Sequence, residues 1–147
     1  MTLRFLMAVL HLLPLAIGIA AVHARGRALR RTTSTADLKN VMYADNWYGV
    51  AALLWVGTGL WRAFGGLEKG TEYYVTSHWF IGKMGLFLLV LVLEMYPMIM
   101  FIRWRRALRN GSPIDLGPTR RLAALSIAQV PLLLLMVFMA AAMARAI

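Results

Sequence analysis

Long apolar runs alternate with short polar and basic segments along this chain. The runs are Phe5 to Val22, Asn46 to Gly65, Trp79 to Phe101 and Leu122 to Ala144, each of 18 to 23 residues. At about 1.5 Å of rise per residue, a run of roughly 20 residues crosses the hydrocarbon core of a bilayer. The pattern therefore predicts an all-α membrane protein with four transmembrane helices. Connections this short favour sequential helices side by side, an up-down four-helix bundle forming one domain over residues 1–147.

Polar punctuation refines the ends. The first helix is expected to run on toward Arg30, since Arg and Ala sustain helix beyond the apolar stretch, and Thr32-Thr33-Ser34-Thr35 breaks it. Ser34 or Thr35 can cap the second helix, with Asp37 near its first turn. Gly65-Gly66 ends that helix, and Thr71 to Ser77 is expected to form a short polar loop. Ser77 is a suitable cap for the third helix, which should overshoot to Leu108 before Asn110-Gly111 and Pro113 stop it. Gly117-Pro118-Thr119 opens the last helix.

Charge adds a topology. Sixteen Lys and Arg residues against six acidic ones give a formal charge of +10. In a soluble protein this would suggest nucleic acid, but here the basic residues are segregated. Residues 23–44 carry Arg25, Arg27, Arg30, Arg31 and Lys39 against Asp37, and residues 102–121 carry six arginines against Asp115. The connection from Gly66 to His78 has Glu68 and Glu72 against Lys69. By the positive-inside rule, loops 23–44 and 102–121 are cytoplasmic and both termini lie outside, with no nucleic-acid partner implied. Arg4, an apolar core and Val22-x-Ala24 imitate a cleavable signal peptide, but the arginines that follow oppose translocation, so the segment is expected to be a retained helix.

The absence of cysteine excludes disulfides, thiolate metal sites, iron–sulfur clusters and covalent c-type haem. No Walker loop, dinucleotide fingerprint, His-Glu-x-x-His helix or nucleophile elbow is present. Candidate chemistry therefore rests on ionisable residues inside the apolar runs, which usually face the bundle interior. They fall into two layers. His11, Arg62 and Lys83 reach a similar outer depth on three helices, with Tyr73 and Tyr74 placed to roof them. The alternatives are snorkelling for Arg62 and Lys83, packing for His11 and an interfacial aromatic belt for the tyrosines. Met7, one turn from His11, is a second axial-ligand candidate. Toward the inside, Glu94 and Gln129 stand at matching depth, with Asp45 at the entrance of the second helix. A neutral Glu94 hydrogen-bonded to Gln129 is the structural reading, and a proton relay is the alternative. Lys83 and Glu94 share one face of the third helix with Phe87 and Val90, roughly 16 Å apart along the axis. Met7, His11, Pro14 and Gly18 form the matching stripe on the first helix, and Gly57, Gly59, Gly82 and Gly85 are expected to permit close packing.

The stretch from Asp45 to Leu108 carries Tyr48-Gly49, Gly59-Leu60-Trp61-Arg62, Tyr73-Tyr74, Trp79-Phe80-x-x-Lys83 and Arg103-Trp104-Arg105-Arg106. It resembles an uncharacterised bacterial family of predicted four-helix integral membrane proteins, which implies a bacterial inner-membrane location. A more distant resemblance is to the flavin-independent four-helix membrane protoporphyrinogen oxidases. Leu10-His11 is similar to their first-helix histidine, Gly59-Leu60-Trp61 to the end of their second helix, Trp79-Phe80-x-x-Lys83 to their third, and Val130-Pro131-x-Leu133-Leu134-Leu135 to their last. That resemblance implies haem b with His11 as metal ligand, and dependence on Lys83. In this sequence Glu94 stands where the family has a third-helix histidine, and a further histidine after the first helix has no counterpart.

Two readings follow. In the first, haem or porphyrin lodges in the outer half of the bundle, held by His11, Arg62, Lys83, Tyr73 and Tyr74. If the protein is an enzyme, it has oxidoreductase-like chemistry involving Lys83 and Glu94, and a quinone as possible electron acceptor. In the second, the protein is a non-enzymatic membrane subunit or scaffold with a structural polar core, whose basic collar binds anionic lipid, a membrane-protein partner or a second copy. A small transporter using Lys83 and Glu94 is a further alternative.

Overall fold

The computed structural model describes residues 2–66 and 70–145 and is all-helical over them. Four long helices, α1 (Leu3–Arg31), α2 (Leu38–Phe64), α4 (His78–Asn110) and α5 (Thr119–Arg145), are joined by short connections. A 3-10 turn, Thr35–Asp37, precedes α2, and a short helix, α3 (Thr71–Thr76), precedes α4. Glu68 and Lys69, part of the charge pattern read above, lie outside the described residues.

Three of the helices, α1, α4 and α5, are long and apolar enough to cross a membrane. Helix α2 is as long as α5 but spends positions on Lys39, Asn40, Asp45, Asn46 and Arg62, so it lacks a long aliphatic run. Large apolar side chains cover the outside of the assembly: Leu53 is 77% exposed, Val92 67% and Phe138 63%. Such a surface is untenable in water and suits acyl chains.

The helix ends follow local chemistry. Ser77 caps α4 by accepting from Phe80 N–H at 3.5 Å. Gly111, at φ 65°, takes the left-handed conformation that ends α4. Asp37 accepts from the backbone N–H groups of Thr33 (2.9 Å) and Ser34 (3.1 Å), fixing the turn between α1 and α2. As the polar punctuation predicts, the helices reach further than the apolar runs, and most of segments 23–44 and 102–121 is helix. The expected polar loop from Thr71 to Ser77 is instead α3, whose Tyr74 is buried against Phe80.

Helix α1 packs along both α2 and α5, and α4 packs on α5. Sequential neighbours are thus in contact except at one place: α2 and α4 have little direct backbone contact, and a cleft of about 480 Å³ lies between them. Close approach elsewhere relies on glycine. A Cβ on Gly26 of α1 would lie 2.5 Å from Ile127 of α5, whereas one on Gly82 of α4 would meet only the flexible end of Met139, which can move aside. Gly57 and Gly85 have open space beside them and do not serve packing as expected. The core has two parts, one around Leu29, Leu38, Phe101, Trp104 and Leu122, the other around Leu15, Val22, Tyr48, Val90, Leu133 and Met136.

Candidate functional site

At the end that carries α3, the helices enclose a cavity of about 510 Å³. Its wall includes His11 from α1, Trp55, Gly59 and Arg62 from α2, Tyr73 and Tyr74 from α3, Phe80 and Lys83 from α4, and Val137 and Ala140 from α5. No acidic side chain is among its described lining residues.

His11 is buried and stacks on the Trp55 indole, with ring centroids 5.4 Å apart and planes 14° from parallel. Its Nδ1 is 2.9 Å from Thr58 Oγ1. The Thr58 hydroxyl lies 2.7 Å from the Leu54 carbonyl and 3.1 Å from that of Trp55, and these take its single proton. Thr58 Oγ1 therefore offers His11 Nδ1–H an acceptor, and in the neutral tautomer that uses it Nε2 carries the lone pair. Gly59 makes room for the ring, since a Cβ there would stand 3.0 Å from His11 Cε1. Lys83 Nζ sits 5.6 Å from the centroid of the Trp55 ring, within cation–π range. Phe87 contacts the same indole, and Tyr73 meets Tyr74 edge to face at 5.7 Å.

Trp55 belongs to the walls of both the cavity and the α2–α4 cleft. Its Nε1–H is the one buried side-chain polar atom without a hydrogen-bond partner among the described residues. Leaving such a donor unpaired costs about 1 to 3 kcal/mol.

Toward the opposite end, the four long helices meet in a polar cluster centred on Arg25, which is fully buried. Its guanidinium holds Glu94 in a two-pronged ion pair, with Nη1–Oε1 and Nη2–Oε2 both 2.7 Å. Nη1 also donates to Asp45 at 2.9 Å and Nε to Ser126 at 3.0 Å. The rings of Tyr48 and Phe101 lie 4.8 and 5.2 Å from its central carbon. Gln129 donates to Glu94 at 2.8 Å and accepts from the Tyr48 hydroxyl at 2.6 Å. Arg105 closes the set on Asp45 at 2.8 Å. Two arginines balance two carboxylates, the condition under which buried charge is tolerated. The ion pairs from Arg25 to Glu94 and from Arg105 to Asp45 tie α4 to α1 and α2, spanning the α2–α4 gap where backbone contact is slight.

A family model described as Predicted membrane protein (DUF2214) matches residues 3–147. The chain belongs to that family. No curated protein and no solved structure matches it.

In this DUF2214 member, His11, Arg62, Lys83, Tyr73 and Tyr74, drawn from four helices, all line the one cavity. Met7 is not among the lining residues, which removes its geometric basis as a second ligand. Lys83 and Glu94 are not brought together: one borders the cavity and the other belongs to the Arg25 cluster. Gln129 does pair with Glu94, but the expected neutral acid–amide pair is replaced by an ion pair with Arg25 in which the amide is a third partner. Arg25 counts in the charge pattern with the basic residues of segment 23–44, on the helix expected to run on toward Arg30; the sequence does not show that it is buried and paired with Glu94, Asp45 and Ser126. It lies seven residues after Gly18, two helical turns, and that spacing was the available signal. Trp55, Thr58 and Ser126 stood out by no sequence feature, since their roles depend on a neighbouring helix.

The cavity's donor set fits a porphyrin-type group better than a bare metal ion. Among the described residues, no three His, Cys, Asp or Glu side chains form a metal-binding group. A haem requires only an axial imidazole from this set, and its carboxylates match the charge of Arg62 and Lys83.

Proposed function

We propose that this membrane protein binds a tetrapyrrole, haem b or a related porphyrin, in the cavity at the α3 end. The observation that carries this reading is the orientation of His11: Thr58 takes its Nδ1–H, making Nε2 the ligating nitrogen, in a cavity whose described charged residues are the cations Arg62 and Lys83. Thr58 and the Trp55 stack fix the imidazole, as hydrogen-bonded neighbours do for metal-ligating histidines generally. Arg62 and Lys83 meet the carboxylates, and Tyr73 and Tyr74 cover the cavity mouth. A bound haem supplies one-electron redox chemistry, while the protein supplies orientation, charge and exclusion of water.

The proposal includes the membrane arrangement. Helix α2 is the fourth span, supported by its 27-residue length, about 40 Å at 1.5 Å per residue, and its packing along α1. Both termini and α3 lie outside, and the basic ends of α1 and α4 lie on the cytoplasmic side of a bacterial inner membrane, following the charge asymmetry.

The test is the visible absorption spectrum of detergent-purified protein expressed with ample haem. A Soret band that shifts on reduction is expected, and a colourless preparation contradicts the proposal. The Arg25 cluster favours a second reading, a non-enzymatic membrane subunit, because every charge in it is spent on holding helices together. A colourless but stably folded protein is the outcome that reading expects.

A further inference from the structure

At the end of the bundle opposite α3, positive charge exceeds what the acidic residues there can meet. The acidic side chains described at that end are already engaged. Asp45 and Glu94 belong to the Arg25 cluster, Asp37 accepts from the backbone of Thr33 and Ser34, and Asp115 accepts from Gly117 N–H at 2.8 Å. Among the described residues, only Arg25 and Arg105 of the basic groups at that end form ion pairs. Arg103 of α4 and Arg121 of α5 are exposed and outside those pairs. The guanidinium of Arg121 lies over the ring of half-buried Tyr96 on α4, 5.9 Å from its centroid, so it reaches across the α4–α5 contact. Arg103 follows Tyr96 by seven residues, which places it on the same face of α4 and about 10 Å nearer that end. In the other direction Val92 and Leu89, four and seven residues before Tyr96, continue that face as exposed aliphatic surface. One stripe along the α4–α5 seam thus changes from aliphatic to doubly cationic near Tyr96.

We propose that this stripe binds an anionic phospholipid, with its phosphate between Arg103 and Arg121 and an acyl chain along Val92 and Leu89. The stripe itself specifies the occupant. An acidic protein segment or a nucleic acid leaves the aliphatic half uncovered, and a zwitterionic lipid brings an ammonium to a place with no carboxylate to receive it. Guanidinium forks match phosphate oxygens in pairs, and each arginine near a membrane surface adds to the attraction for anionic lipid. Tyr96 braces Arg121 at the boundary between chain and headgroup, so that side chain loses less freedom on binding. The site lies apart from the cavity at the α3 end and needs neither haem nor one particular orientation in the membrane, so a colourless protein or reversed topology does not bear on it.

The experiment is native mass spectrometry of the full-length protein released from detergent micelles, with dioleoyl phosphatidylglycerol or dioleoyl phosphatidylcholine added, which counts bound lipids and gives the affinity for each. The parent should hold one phosphatidylglycerol about tenfold more tightly than phosphatidylcholine, the scale of one or two charge contacts at a membrane surface. Arg103→Gln with Arg121→Gln should erase that preference. Arg27→Gln with Arg31→Gln removes the same charge from exposed positions near the end of α1 and should keep it. All four positions are exposed, and circular dichroism of each variant monitors the fold. Equal affinity of the parent for the two lipids, or a preference that survives loss of Arg103 and Arg121, overturns the site. Equal loss in the two double variants assigns the preference to the basic end as a whole and overturns its placement on the α4–α5 seam.

Discussion

Arg25 and Glu94 form a two-pronged ion pair across α1 and α4, both N–O distances 2.7 Å, with the arginine wholly out of solvent. The pair has its own second layer in Ser126, Gln129 and Asp45, so removing one member strands several others. Arg25→Met leaves both carboxylates without the guanidinium and should destabilise the protein by about 3 to 5 kcal/mol. Glu94→Gln should cost a comparable amount, because the amide keeps Gln129 but no longer compensates Arg25. Unfolding midpoints in detergent check this, and a Glu94→Gln protein as stable as the parent would show that the ion pair does not hold the helices.

Arg25→Lys separates charge from geometry. Lysine keeps the cation but cannot bridge both oxygens of Glu94 while also reaching Asp45 and Ser126, so only part of the stability should return. Full recovery would reduce the cluster to a point charge.

The connection at Asp37 gives a pH prediction. The N–H groups of Thr33 and Ser34, bonded to its carboxylate, hold the Asp37 carboxyl below the usual range. A folded-state value lower than the unfolded one contributes stability that is present above the unfolded pKa, about 3.9, and is lost as pH falls through the folded value. Asp37→Asn should therefore lower the melting temperature at neutral pH. The gap between variant and parent should close once the pH is well below about 4, where the parent's carboxyl is also neutral. A gap independent of pH would assign the effect to something other than charge.

Much of this architecture was legible in the sequence, and the failures have physical causes. Run length and punctuation located the four long helices, Ser77 as a cap and Gly111 as a stop, because these are local matters of propensity and backbone geometry. Depth counting grouped His11, Arg62 and Lys83, since the rise per residue of a helix is fixed. The charge pattern counts Arg25 among the basic residues of a cytoplasmic segment, although the helix expected to continue through it carries it to Glu94, Asp45 and Ser126 in the interior. The gap between α2 and α4 was illegible, because side-by-side order follows from short loops whereas the spacing of two helices depends on the side chains of all four. Trp55 and Thr58 gain their roles only from His11 across the α1–α2 contact.

Topology is checked by labelling. Cysteine at Thr71, an exposed position at the start of α3, should react in intact cells with an impermeant thiol reagent added outside, and cysteine at exposed Ser112 should not. The chain has no cysteine of its own to interfere. Reversed labelling would turn the basic helix ends outward and remove the cavity from the outer side.

Lys83 carries a charge test of the cavity. Lys83→Met should weaken retention of added haem by about tenfold, the loss of one charge-assisted contact, while Lys83→Arg should retain most of it. Equal retention by the two variants and the parent would mean that the ammonium does not meet the ligand.

The most direct measurement is a haem titration of the apoprotein followed at the Soret band, comparing the parent with His11→Ala, with helix content monitored by circular dichroism in the same samples. The parent is expected to bind with saturation and to give a band that shifts on reduction. His11→Ala is expected to keep its helix content while the band is lost or displaced, because alanine is well tolerated among packed helices and only the Nε2 ligand has been removed. An unchanged Soret band in folded His11→Ala would contradict the account, since the orientation imposed by Thr58 would then serve packing and not ligation.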